Sequence, residues 1–344
     1  MLHLPCTKGA DESMSPNRRL IIWSLLLTAS MLGLAILNLS TGTMTISWPA
    51  LLGILTGRGN ATDMLVLVNF RLPRIVLAIM VGWALALSGN VLQTVTNNPM
   101  ADPSLLGINN GAGLAVMLLI IGAGTNASLT LSLPIVALAG AWLSTALIFL
   151  LANQRQRGIS SKRLLLVGVA LSGCFSALMV LMTLKLSPDN YQFVMNWLAG
   201  SLWGTDWSYI GWALPWLAVG SGILFIQLPV LDAFTLGTTT AQTLGINLKR
   251  QQLGLISVAA MLAGVSVAIS GGISFIGLIT PNLARRIVGS RQRYQLPLAG
   301  LLGSTLLLAA DTLGKLITTT TELPAGVLVA LIGAPYFIYL LVRG

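Results

Sequence analysis

The residues best suited to chemistry in this chain are a few charged side chains set among long apolar segments. Asp311 and Lys315 lie four residues apart, which places both on one helix face. A carboxylate there can bind a coupling ion or be a buried group that partner helices satisfy. Arg71 and Arg74 flank a Leu-Pro dipeptide at a predicted membrane edge. Such cations either remain solvated or bind carboxylates of a partner.

Other kinds of chemistry have no residues to support them. The single histidine is His3, and Cys6 and Cys174 lie far apart, so no metal site is predicted. No paired acids and no Ser/His arrangement converge on one level, which argues against an enzyme. No G-x-x-x-x-G-K-[ST] sequence occurs, so the chain has no P-loop for ATP. The basic residues form small groups and not one patch, which argues against nucleic acid.

The composition places these residues in a membrane protein. Hydrophobic residues make up 55% of the 344 and charged residues 8%, against roughly 25% charged in soluble domains. We predict an all-α integral membrane protein with residues 1–19 as a tail and 20–344 as a single transmembrane domain. About ten spans are expected, at 20–40, 75–95, 105–124, 131–152, 164–184, 208–228, 252–270, 273–288, 296–313 and 325–342.

Two features decide the count and the orientation. The segment 253–279 could be one long helix or two, and the adjacent glycines at 271–272 favour a break between two helices. With ten spans and both termini in the cytoplasm, all but five of the 19 basic residues face inward, as the positive-inside rule requires. The five exceptions are Arg58, Arg71, Arg74, Lys185 and Lys315.

A polar, helix-breaking stretch, "NNPMADPSLLGINNGAG" (97–113), separates two of these spans. Its backbone must be satisfied by water or neighbouring protein. This stretch, "RLPR" (71–74), "GGISFIGLITPNLARRIVG" (271–289) and "ELPAGVLVALIGAPYFIYLLVRG" (322–344) resemble permease subunits of ABC importers for ferric siderophores and vitamin B12. The resemblance runs in order from about residue 40 onward.

The resemblance implies the ABC type II importer permease fold in a bacterial inner (cytoplasmic) membrane. Its implied partners are a second permease subunit (the same or a paralogous chain), two cytoplasmic ATPases, an extracytoplasmic binding protein and membrane lipid. ATP is then used by the ATPase subunits, and this chain binds no cofactor itself. The implied substrate is an iron(III)–siderophore complex, with cobalamin or haem as alternatives. An ion-coupled carrier that uses Asp311 remains a competing hypothesis from another class.

The resemblance also assigns roles to single residues. Arg71, Arg74 and Lys315 are expected to dock the binding protein. Asn98 and Met100 are expected to form a cytoplasmic gate together with Ser161 and Lys162. The coupling loop at 230–250 is expected to contact the ATPase through two short helices and the framework residues Leu236, Gly237, Ala241, Leu244 and Gly245. Four departures from the family pattern are lysine at 162, lysine at 315, threonines at 238–240 and asparagine at 282.

Overall fold

The computed structural model describes residues 15–42, 53, 60–123, 132–154, 158–159, 161–202, 204–243, 245, 247–317 and 323–343, almost all of them helical. The helices are α1 (Pro16–Ser40), α2 (Ala61–Thr96), α3 (Ile108–Ala123), α4 (Ser132–Ala152), α5 (Ser161–Thr183), α6 (Pro188–Leu198), α7 (Trp207–Ile226), α8 (Leu228–Thr235), α9 (Thr238–Thr243), α10 (Leu248–Ser270), α11 (Ile276–Val288), α12 (Gln292–Ile317) and α13 (Ala325–Arg343). A two-stranded antiparallel ladder, Asn153–Gln154 with Gly158–Ile159, lies between α4 and α5.

Each of the ten predicted spans corresponds to a helix, which confirms an all-α membrane fold. Among the described residues, eight helices are long and apolar enough to cross a bilayer, and α3 has a shorter apolar segment at Ile108–Gly122. The tenth, α11, has 13 residues. That is about 20 Å of helix, less than the roughly 30 Å hydrocarbon core. α1 begins at Pro16, so the predicted tail boundary at residue 19 falls inside a helix.

The predicted break between α10 and α11 is present, and its cause is visible in the backbone. Gly271 ends α10 with φ 70°, a left-handed conformation that glycine adopts without steric cost. Residues 271–275 are not helical, and the N–H of Gly272 donates to the carbonyl of Trp197 at 3.3 Å. The break therefore aims the N-terminus of α11 into the protein interior.

α2 is the central helix and is buried on nearly every side from Pro73 to Thr96. Glycines let its neighbours approach closely, as is usual between membrane helices. A Cβ placed on Gly82 would overlap the backbone of Gly303 in α12, and one on Gly89 would overlap the backbone of Gly277 in α11. The positions of α11 and α12 therefore depend on α2.

α2 and α12 run antiparallel, and polar side chains join them at both ends. Near the start of α2, Arg74 pairs with Asp311; near its end, Thr94 meets Gln292. Twenty residues of α2 separate Arg74 from Thr94, about 30 Å of helix. We call these the Arg74 end and the Asn98 end of the bundle. The cytoplasmic placement of the termini stays a prediction.

Candidate functional sites at the two ends of the bundle

A buried ion cluster of Asn38, Arg74, Asp311 and Lys315 joins α1, α2 and α12 at the Arg74 end. Arg74 contacts Oδ1 of Asp311 through Nε at 2.9 Å and Nη2 at 2.7 Å. Asn38 donates from Nδ2 to Oδ2 of Asp311 at 2.9 Å and accepts from Nζ of Lys315 at 2.7 Å. Lys315 lies 3.8 Å from Asp311. The pairing is required because an isolated buried charge is costly.

The burial and hydrogen bonds of the cluster show whether its charged side chains are solvated or paired within the protein. Asp311 is 1% exposed and satisfied by helix partners, which confirms the interpretation of a structural buried carboxylate. Arg71, Arg74 and Lys315 are 6%, 7% and 6% exposed in the single chain, so their interpretation as solvated cations is wrong. Arg71 also donates to the carbonyl of Leu39. The structure brings the three cations to one end, and their docking role stays a prediction.

At the Asn98 end, α2 terminates in a compact turn that we call the 97–102 loop. Asn97 takes the left-handed conformation with φ 48°, which asparagine tolerates and which ends the helix. The side chain of Asn98 accepts from the N–H of Met100 at 2.9 Å, and its own N–H donates to the carbonyl of Gln93 at 3.1 Å. Asn98 and Met100 thus form one local unit.

Two side-chain amides join α11 to the end of α2 and to this loop. Pro281 lacks the N–H that would satisfy the carbonyl of Gly277, and Nε2 of Gln93 in α2 donates to that carbonyl at 3.1 Å. One residue after the proline, Nδ2 of Asn282 donates to the carbonyl of Pro99 at 2.9 Å. The asparagine that departs from the family pattern is therefore a direct tie to the 97–102 loop.

A cavity of about 370 Å³ opens beside this loop, between α3, α5 and the start of α11. Its polar lining is Asp102, Ser104, Asn109, Asn110, Ser172 and Ser274. Asp102 lies between α2 and α3 and accepts from the N–H of Ser104 at 2.8 Å. Burial raises the pKa of its carboxyl by more than the hydrogen bonds from Ser104 lower it. The cavity offers hydrogen-bonding groups on an otherwise apolar surface.

The structure does not describe the side chains of the second half of the predicted gate. α5 begins at Ser161, and the side chains of Ser161 and Lys162 lie outside the described part of the chain. Their approach to Asn98 therefore stays a prediction.

The predicted coupling loop contains two short helices, α8 and α9, joined through Leu236 and Gly237. Gly237 has φ 99° and Gly245 has φ 80°. These backbone conformations favour glycine, which explains why glycine stands at both framework positions. Ala241 is buried, and Leu236 is 65% exposed and available to a partner. Leu244 lies outside the described residues. The contact of this loop with an ATPase stays a prediction.

Sequence reasoning missed a buried amide network of Asn90, Thr94, Gln292 and Gln295. Asn90 donates to Oε1 of Gln292 at 2.6 Å, and Gln292 donates to Oγ1 of Thr94 at 3.0 Å. Gln295 donates to Oδ1 of Asn90 at 2.8 Å. All four side chains are at most 3% exposed. The available signal was amide and hydroxyl residues at helical spacing, 90/94 and 292/295, in or beside apolar spans.

These features define a multi-pass helical membrane protein with polar groups at the two described bundle ends and beside a cavity. The chain belongs to the FecCD transport family, whose family model matches residues 26–343. It is 38% identical over 312 residues to the iron(3+)-hydroxamate import system permease FhuG of Bacillus subtilis strain 168 (89% of this chain, 92% of the relative). It is 40% identical over 325 residues to the Fe(3+)-citrate import permease YfmE of the same organism (94% and 96%).

Two further comparisons fix the class. The vitamin B12 import permease BtuC of Pectobacterium atrosepticum is 41% identical over 276 residues (80% of this chain, 82% of the relative). A solved structure described as an inward-facing metal-chelate type ABC transporter superposes with a TM-score of 0.80 at 29% identity, covering 93% of this chain and 99% of that one. The chain is therefore a permease subunit of an ABC importer and not an enzyme. Permeases of this family work with ABC ATPase and binding-protein partners.

Proposed function

We propose that this chain forms half of the translocation path of an ATP-driven importer that moves an iron(III)–siderophore complex across a bacterial inner membrane. This proposal rests on the similarity of nearly the whole chain to permeases named for ferric hydroxamate and ferric citrate. The other half is a second permease subunit, two separate ATPases use the ATP, and a binding protein delivers the chelate.

The arrangement of polar groups supports this division of work. The cations expected to dock the binding protein lie at the Arg74 end, and the 97–102 loop and α8 lie at the Asn98 end. Binding-protein and ATPase contacts on opposite ends of the bundle are what an importer needs. For docking, Arg71, Arg74 and Lys315 exchange part of their present bonds for acidic groups of the binding protein. Asn98, Met100, Ser161 and Lys162 then close the path.

The exposed surface of α5 supports a path beside this helix. Most of α5 is exposed in the single chain, and Ser172 and Ser176 on it bind Nδ2 of Asn110 at 3.0 and 3.2 Å, through a carbonyl and a hydroxyl. A second permease packed along α5 covers this exposed surface and encloses the polar cavity beside it.

Vitamin B12 is the second candidate substrate, because the B12 permease has a comparable identity to this chain, 41%, over a shorter match of 80% of the chain. The ion cluster weighs against an ion-coupled carrier. Asp311 already accepts from Arg74 and Asn38, so a coupling ion would have to displace a bound cation.

The test is uptake into proteoliposomes that contain this chain, its second permease and its ATPase, with the binding protein outside and ATP inside. We expect ATP-dependent uptake of ferric hydroxamate or ferric citrate, and none when the ATPase carries an inactivating change in its own P-loop. Uptake driven by an ion gradient without ATP would contradict the proposal. Uptake of cobalamin alone would transfer the assignment to the second candidate.

A further inference from the structure

The predicted coupling loop is hydrogen-bonded to the start of α12. Asp232 in α8 accepts from the backbone N–H of Gln292 at 2.7 Å. Gln292 is the first residue of α12, so the carboxylate also lies at the positive end of a helix dipole. A displacement of α8 therefore acts on α12 directly.

From Gln292 the hydrogen bonds continue along two branches towards the 97–102 loop. The first passes through the Gln292 side chain to Thr94 at 3.0 Å, and the carbonyl of Thr94 accepts the N–H of Asn97 at 3.3 Å. This branch enters the loop from α2.

The second branch reaches the loop through α11. Gln292 donates to Gln295 at 3.4 Å, and Gln295 donates to the carbonyl of Pro281 at 3.3 Å. The next residue, Asn282, donates to the carbonyl of Pro99 at 2.9 Å. Both branches end on the loop that carries Asn98 and Met100.

The chemistry of these residues suits transmission and not substrate binding. Asn90, Gln292 and Gln295 are fully buried, so each lost bond leaves an amide group without water to replace its partner. Amides reorient without a change of charge, and a satisfied buried network holds helices in one register. A packing role alone would not require the network to begin at a helix of the coupling loop.

We propose that Asp232 and the network of Asn90, Thr94, Gln292 and Gln295 are positioning residues that transmit the position of α8 to the 97–102 loop. This inference rests on the proposed function, because α8 must contact an ATPase and the loop must close the path. The network side chains are at most 3% exposed, so in this inference they act on the loop and not by binding substrate or ATP. They determine how far the loop follows the ATPase.

α2 offers a matched pair of variants for the test. Thr94→Val removes the hydroxyl that accepts from Gln292. Thr96→Val makes the same change two residues away, where the hydroxyl donates only to the carbonyl of Leu92 in its own helix at 2.6 Å. Both side chains are buried, at 3% and 5% exposed, so general effects on packing are comparable.

Asp232 separates hydrogen bonding from charge. Asp232→Ala removes the acceptor of the Gln292 N–H, whereas Asp232→Asn keeps an oxygen there and removes the charge. In the reconstituted complex, we expect Thr94→Val and Asp232→Ala to lower the chelate moved per ATP hydrolysed roughly tenfold, which corresponds to about 1.4 kcal/mol. Asp232→Asn and Thr96→Val should stay within about twofold of the parent chain. ATPase stimulation by the binding protein should persist in all four, because none of these changes touches the cations at the Arg74 end.

A second readout needs no transported substrate. Met100→Cys in a chain carrying Cys6→Ser and Cys174→Ser reports maleimide reactivity of the loop, with the ATPase complex in the presence and absence of ATP. We expect an ATP-dependent rate in the Thr96→Val chain and loss of that dependence in the Thr94→Val chain. An equal ATP response in both chains overturns the inference, even if no chelate is moved. Equal loss in both also overturns it. Failure of uptake with an intact labelling difference contradicts only the proposed substrate.

Discussion

At the residue scale, the ion cluster shows how the buried carboxylate of Asp311 is stabilised inside the helix bundle. Asp311 has two cationic neighbours and one amide, so no part of its charge depends on water. Arg74→Ala should lower the free energy of unfolding by about 3 kcal/mol, because it leaves the buried carboxylate with a single cation, Lys315 at 3.8 Å. Thermal unfolding of the purified chain in detergent measures this loss. The double change Arg74→Met with Asp311→Leu should recover part of it, and an additive loss would contradict the pairing.

Asp102 gives a prediction about how the stability of the folded chain depends on pH. Because burial raises its pKa in the folded chain, stability contributed by the protonated carboxyl is lost as pH rises from about 4 through the folded pKa. Asp102→Asn still accepts from Ser104 and never ionises. The variant should melt a few degrees above the parent at pH 7.5 and at the same temperature near pH 4. A variant that melts below the parent at pH 7.5 would show that the charge stabilises the loop.

At the element scale, glycine contacts set the distances between the helices that carry the sites. Gly89→Ala would drive a Cβ into the backbone of Gly277 and separate α2 from α11, at a cost of at least about 1–3 kcal/mol. Gly222→Ala in α7 is the control, since nothing lies within 4 Å of its Cβ position. It should be neutral or stabilise by about 0.4–1 kcal/mol. The melting temperatures of the two variants test this difference. Equal effects would argue against the close contact between Gly89 and Gly277.

Local sequence patterns predicted the helices better than the contacts between them. Apolar length located all ten helices, and the glycines at 271–272 located the break before α11. α11 was predicted to begin at residue 273 but begins at Ile276. The difference arises because Ile273 and Phe275 continue the apolar pattern through the non-helical residues 271–275, where only the backbone changes. The pairing of Asp311 with Lys315 follows from helical spacing, whereas its pairing with Arg74 joins residues 237 positions apart. Spacing along one helix carries no information about such a partner.

At the scale of the whole molecule, helices connect the two ends, and the described residues show no continuous polar chain between them. α2 and α12 each reach from the ion cluster to the amide network. Close glycine packing between them favours movement of the pair as one body. Docking at the Arg74 end would then alter the 97–102 loop by tilting this pair, which is a change between two packed states.

The exposed side of α5 gives a prediction for the assembled importer. Cys174 lies on α5, exposed in the single chain. If a second permease covers this surface, a lipid-soluble maleimide should label Cys174 in the isolated subunit and at least about tenfold more slowly in the assembled complex, because burial restricts access to the thiol. Cys6→Ser removes the other thiol, and a cysteine replacing Leu26, exposed on α1, controls for detergent effects. Equal labelling of Cys174 in both states would place the second subunit on another face and move the translocation path away from α5.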